Sequence, residues 1–100
     1  MKDKIITFII ESLKEINEEL QNPELVKPTA KTHLYGKQGN LDSLALIRLI
    51  IDVEGKILDE LGKEITIADE RAMSQRLSPF RRVESLANYI IRLLNEEVRL

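Results

Sequence analysis

One hundred residues, 43% of them apolar and 32% charged, describe one small folded domain with no room for a second domain and a deep substrate cleft. A formal charge of −2 gives no basic field for duplex binding, and the four scattered aromatics (Phe8, Tyr35, Phe80, Tyr89) are not spaced as base-stacking platforms. Without cysteine there is no disulfide framework, thiolate metal site or cysteine nucleophile, and the single histidine, His33, lends little support to a zinc site or a Ser-His catalytic pair.

The first element reads as a helix. Ile5, Ile9, Leu13, Ile16 and Leu20 recur at spacings of three and four, with Lys14, Glu15, Glu18 and Glu19 on the opposite side. Asn22-Pro23 stops it, because proline cannot continue the backbone hydrogen bonding. "IITFII" (Ile5–Ile10) is too short for a signal-peptide core and is followed at once by Glu11, Lys14 and Glu15. Nothing approaches the roughly 20 apolar residues of a membrane span. A cytoplasmic protein is expected.

Residues 21–41 form the longest non-periodic stretch, with Pro23, Pro28, Gly36, Gly39 and Asn40. A loop of this length in a small domain is often functional. Leu25, Val26, Leu34 and Tyr35 are expected to pin it to the core as an ordered crossover.

The second helix is predicted from Ser43 to Leu61. It carries two apolar stripes: Leu46, Ile50, Val53 and Ile57, and then Leu44, Ile47, Ile51 and Leu58. A surface helix needs only one. The second therefore implies deeper burial or a face kept for a partner. Gly55 costs about 1 kcal/mol relative to alanine inside a helix, which suggests a bend or a close approach there.

Thr66–Asp69 ("TIAD") reads as a capping box opening a short third helix over Ile67–Arg76, and Ser78-Pro79 ends that segment. A last helix, Val83–Glu97, puts Leu86, Ile90, Leu93 or Leu94, and Val98 on one face. Strand signals are absent. The expected fold is all-α, a four-helix bundle of three longer helices and one short one in a single domain over residues 1–100.

The chemistry concentrates at Asp42-Ser43, where a glycine-bearing loop meets the most apolar helix. Backbone N–H groups at a helix N-terminus lack intrahelical partners, and the positive end of the macrodipole lies there. The spot suits a phosphate. Serine and aspartate are also among the commonest N-cap residues, so capping is the plain alternative to modification.

"LDSL" (Leu41–Leu44) followed by an apolar helix resembles the phosphopantetheine attachment motif of acyl carrier proteins, whose core is Asp-Ser-Leu. The order of helices, the long loop and the short third helix resemble that family over nearly the whole chain. The likeness is most specific from Gly39 to Ile57, through Leu44, Ile47, Leu49, Ile51, Val53, Glu54 and Ile57. The resemblance implies a non-enzymatic carrier with a 4′-phosphopantetheine arm, donated by coenzyme A, on Ser43. Asp42 would serve docking of the phosphopantetheinyl transferase and its magnesium-assisted reaction. Leu44, Ile47 and Ile51, with Ile65 from the following loop, would meet acyl-loading and acyl-processing enzymes or border an acyl pocket; ordinary core packing is the alternative for each. No metal is expected as a resident ligand, and a monomer is the default.

The chain also departs from that family. The expected exposed stripe of helix two, Ala45, Arg48, Asp52, Lys56 and Asp59, is close to neutral where carriers of fatty-acid synthesis are acidic. Ala45 and Arg48 stand where acids are usual, as do Lys37 and Gln38 before the motif. Complementary charge sets encounter rate and partner choice, so Arg48 should disfavour housekeeping enzymes, while pairing with Asp52 at i,i+4 is its structural role. "ILDELGKE" (Ile57–Glu64) and "RLSPFRRV" (Arg76–Val83) are longer than in compact carriers. Such insertions resemble specialised stand-alone carriers, for secondary metabolites, unusual lipids or D-alanine. Aminoacyl and peptidyl carriers share the serine chemistry. From another class, an unmodified helical adaptor would use the spare apolar face of helix two for a partner helix. An enzyme is the poorest fit, since no paired carboxylates or phosphate-cradling glycine motif is present.

Overall fold

Helix α1 (Lys2–Leu20) forms because its apolar residues recur once per turn, and it buries Ile5, Phe8, Ile9, Leu13 and Ile16. A computed structural model of the chain describes residues 1–67 and 79–98, with side chains through residue 96. Leu20, expected on the buried stripe, is exposed. It is the last residue of the helix, one turn past Ile16, the last buried one, and the chain leaves at Gln21, which takes a left-handed conformation (φ 53°) and donates to the Asn17 carbonyl at 2.8 Å. Asn17 also clamps the exit. Its Oδ1 accepts from the Asn22 amide at 2.8 Å, and its Nδ2 donates to the Asn22 carbonyl at 3.1 Å. Ser12 is fully buried on the core side, and its hydroxyl has no partner among the described residues.

After a short 3-10 turn (Pro23–Leu25), the crossover to the second helix is ordered, as expected. Leu25, Leu34 and Leu41 enter the core and Tyr35 packs against it, but Val26 is 59% exposed and anchors nothing. The 3-10 turn points Leu25 inward, so its neighbour faces solvent. Main-chain bonds do the rest. The amides of Leu34 and Tyr35 donate to the carbonyls of Arg81 (2.7 Å) and Phe80 (3.0 Å), while those of Val83 and Glu84 donate to Thr32 (3.1 Å) and Ala30 (2.8 Å). This pairing amounts to one isolated bridge, His33 with Arg82, and no strand is present among the described residues.

Helix α2 (Ser43–Leu61) buries Ala45, Leu46, Leu49, Ile50, Val53 and Ile57, and ends at Gly62, whose φ of 66° suits glycine. Ala45, expected on the exposed stripe, lies in the core beside Leu49. Gly55 is exposed, and a Cβ built there would meet nothing within 4 Å, so close packing is not the reason for that glycine. From the helix end the chain folds back. The Ile67 amide donates to the Glu54 carboxylate at 2.7 Å, and Ile65 and Ile67 are buried. Of the short helix expected over Ile67–Arg76, only Ile67 is described; its remainder, with the Asp69 half of the capping box, lies outside the described residues.

Helix α3 (Val83–Val98) is led in by Phe80, a buried plug from the segment that the sequence marks as an insertion. Ser85 fixes its start, its Oγ accepting from the Arg82 amide at 3.0 Å. Val83, Leu86, Ala87, Ile90 and Leu94 face inward; Leu94 rather than Leu93 is the buried member of that pair. Both α2 and α3 pack against α1. The described chain is thus all-helical, with three α-helices around one hydrophobic core.

Candidate functional site at the start of helix α2

The approach to α2 is fixed from both sides. The Asn40 side chain donates to the His33 carbonyl at 2.8 Å, and the Leu41 amide donates to the Leu34 carbonyl at 2.8 Å. Gly39 lets these segments cross, because a Cβ there would lie 2.7 Å from the Leu34 oxygen and the Tyr35 backbone. Leu41 is then buried and Asp42 emerges.

Asp42, not Ser43, caps the helix. Its backbone is extended (φ −82°, ψ 178°), and its Oδ1 accepts the Ala45 amide at 2.8 Å. These are the marks of an N-cap residue serving the third helical position. Ser43 is therefore the first helical residue. It is exposed, and its hydroxyl makes no hydrogen bond among the described residues. The capping alternative for Ser43 is thereby removed. A nucleophile-sized oxygen stands free in solvent at the positive end of a 19-residue helix.

From this oxygen an apolar stripe runs along α2. Leu44 is 68% exposed, Ile47 48%, Ile51 62% and Leu58 49%. Spacings of three, four and seven put them on one face. Core packing does not account for any of the four. Ile65 differs, being 9% exposed and part of the core. The structure thus groups Ser43 with Leu44, Ile47 and Ile51 on one exposed side and separates Ile65 from them.

Beside the stripe, the charges are tied to α1. Arg48 does not pair with Asp52; its guanidinium reaches Glu19 at 2.8 Å. Lys56 instead bridges Glu15 at 3.0 Å and Asp52 at 3.6 Å. The four-residue spacing of Glu15 and Glu19 on α1 is matched by that of Arg48, Asp52 and Lys56 on α2, a signal present in the sequence but legible only once the helices are known to be neighbours. Partial burial of the Lys56 ammonium acts to lower its pKa, but the hydrogen bond to Glu15 and the charges of Asp52 and Glu15 outweigh it, and the net shift is upward from the ordinary 10.5. Lys56 is thus held as a cation.

Among the described residues no three His, Asp or Glu side chains gather as metal ligands, and no helix is long and apolar enough to cross a membrane. No protein-family model, no curated protein and no solved structure matches the chain.

Proposed function

We propose that this protein is an acyl carrier, holding acyl intermediates as thioesters on a 4′-phosphopantetheine arm attached to Ser43, for a specialised lipid or secondary-metabolite pathway. The observation that carries this reading is the division of labour at the α2 N-terminus: Asp42 satisfies the cap, and the Ser43 hydroxyl is left exposed with no hydrogen bond among the described residues. Capping does not account for this serine, because Asp42 already accepts the Ala45 amide. The site also fits the group, because a phosphodiester on Ser43 would sit over unpaired amides of the first turn, where negative charge is favoured by about 0.3–1 kcal/mol.

In the attachment step, Ser43 Oγ attacks phosphorus in the pyrophosphate of coenzyme A. A new O–P bond forms, the bond to the adenosine bisphosphate leaving group breaks, and the hydroxyl proton passes to a base of the transferase. Once bound, the arm supplies a thiol for thioester formation. The chain's own contribution is to hold the serine at a fixed, open place and to offer an apolar surface beside it. Leu44, Ile47 and Ile51 are the contacts for partner enzymes, and Arg48 biases their choice away from enzymes that read an acidic helix. Glu19 shares the Arg48 charge, so that bias is moderate. A short helix between Ile67 and Arg76 completing a four-helix bundle, and a cytoplasmic location, belong to the same reading.

The same serine chemistry would serve an aminoacyl, peptidyl or D-alanine carrier, since cargo identity resides in the partner enzymes. The exposed stripe also favours a second reading, an unmodified helical adaptor that lays this face into a partner groove. The two separate in one experiment: incubation with a broad-specificity phosphopantetheinyl transferase, magnesium and a coenzyme A bearing a fluorophore on its thiol. A carrier becomes fluorescent and its Ser43→Ala form does not. Equal labelling of both, or of neither with several transferases, favours the adaptor.

A further inference from the structure

We infer that the chain holds a second site, away from Ser43, that binds a small phosphate monoester between the crossover loop and the lead into α3. His33, Tyr35, Lys37, Gln38 and Arg81 line an open pocket of about 210 Å³. Every one of these side chains carries a hydrogen-bond donor. No carboxylate lines the pocket among the described residues, although acids outnumber bases in the chain, 17 to 15.

The two permanent cations are also unspent. Arg48, Lys56 and Arg82 each have a carboxylate partner, whereas Lys37 and Arg81 form no ion pair among the described residues. Two like charges brought to one concavity without an anion repel each other, and a dianion between them removes that repulsion. A phosphate monoester carries about −1.5 to −2 at neutral pH, which matches this pair better than a single carboxylate does. Arginine's planar fork suits phosphate oxygens, with lysine as a point charge beside it.

The pocket walls are held in place by main-chain bonds. Leu34 and Tyr35 donate to the carbonyls of Arg81 and Phe80, Phe80 is buried, and the Gly39 amide closes the turn bearing Lys37 and Gln38 onto the Gly36 carbonyl at 3.0 Å. Gly36, at φ 114°, lets that turn form. The space is several times the ~30 Å³ of a liquid water molecule and below the ~300 Å³ at which drug-sized ligand sites begin. It holds a phosphate with a short stem. Lys37, Gln38 and Arg81 lie in the segments that set this chain apart from compact carriers, and the fold brings them together.

Ser43 is not part of this pocket, so the proposal stands whether or not Ser43 carries an arm. The test is an amide NMR titration of the full-length chain with inorganic phosphate and with glycerol phosphate at constant ionic strength, with chloride and acetate as comparison anions. A saturable shift centred on residues 33–38 and 79–82 is expected from both phosphates. Arg81→Ala and Lys37→Ala should each weaken it by about tenfold or more, the loss of one charge-assisted contact, while Lys63→Ala leaves it unchanged. Both variants should fold, because only the Arg81 carbonyl, and not either side chain, serves the backbone pairing. Shifts spread over all exposed lysines, equal binding of acetate, no saturable shift, or wild-type affinity in both variants would each overturn the assignment.

Discussion

Replacing Asp42 and Ser43 separately by alanine distinguishes a cap from a free hydroxyl. Asp42→Ala removes the acceptor 2.8 Å from the Ala45 amide and a negative charge from the positive end of α2. Loss of an N-cap typically costs about 0.5–2 kcal/mol, and the full range applies because α2 supplies six core residues. In a domain of this size each kcal/mol lowers Tm by roughly 4–8 °C, so a fall of about 2–16 °C is expected. Ser43→Ala removes a hydroxyl with no hydrogen bond among the described residues and places a better helix former at the first helical position, for a change within about 0.5 kcal/mol. Thermal and urea unfolding of unmodified protein, followed by circular dichroism, give both values. If Ser43→Ala proves the more destabilising of the two, Ser43 is the working cap and its exposed hydroxyl carries no functional argument.

Other consequences concern the two faces of α2 and its charges. Gly55→Ala should stabilise the protein by about 0.5–1 kcal/mol in urea unfolding, since the added methyl meets open space and glycine's entropic cost is removed. Leu49→Ala should cost about 2–5 kcal/mol at a fully buried position, while Ile51→Gln, on the exposed stripe, should stay within about 0.5 kcal/mol. Equal losses from those two would mean that the stripe is core. The Lys56 ion pairs contribute below pH 10.5 and are lost as pH rises through the raised folded-state pKa. The stability gap between the parent and Lys56→Met should therefore be constant across neutral pH and narrow above about pH 10.5, and a gap that widens there would reverse the sign of the shift.

Much of the helical frame was legible because hydrophobic spacing reports which face must leave water. Leu46, Ile50, Val53 and Ile57 form a buried stripe as read, and Leu86, Ile90 and Leu94 form another. What the spacing could not settle was the fate of surplus apolar residues. Leu44, Ile47, Ile51 and Leu58 have the periodicity of core residues and are exposed, because α1 already covers the other side of α2. Leu20 keeps the helical spacing but lies one turn past the last buried residue of α1, and Val26 follows Leu25, which takes the core position in the 3-10 turn; spacing does not show where an element outruns the core. Long-range partners were invisible too. Arg48 has an acid four residues on, yet bonds Glu19 across the helix interface, and Phe80 reads as part of an insertion until it is seen filling the core. At the site, local chemistry left Asp42 and Ser43 as rival caps, and only the bond to Ala45 decides between them.

The central claim, that Ser43 bears the arm, is tested most directly by intact mass after incubation with coenzyme A, magnesium and a broad-specificity phosphopantetheinyl transferase, followed by fragmentation to locate any addition. A gain of one phosphopantetheine, located on Ser43 and absent from Ser43→Ala, is the predicted result. An unchanged mass with several transferases, or an addition elsewhere in the chain, would contradict it and leave α2 as the docking helix of an unmodified adaptor.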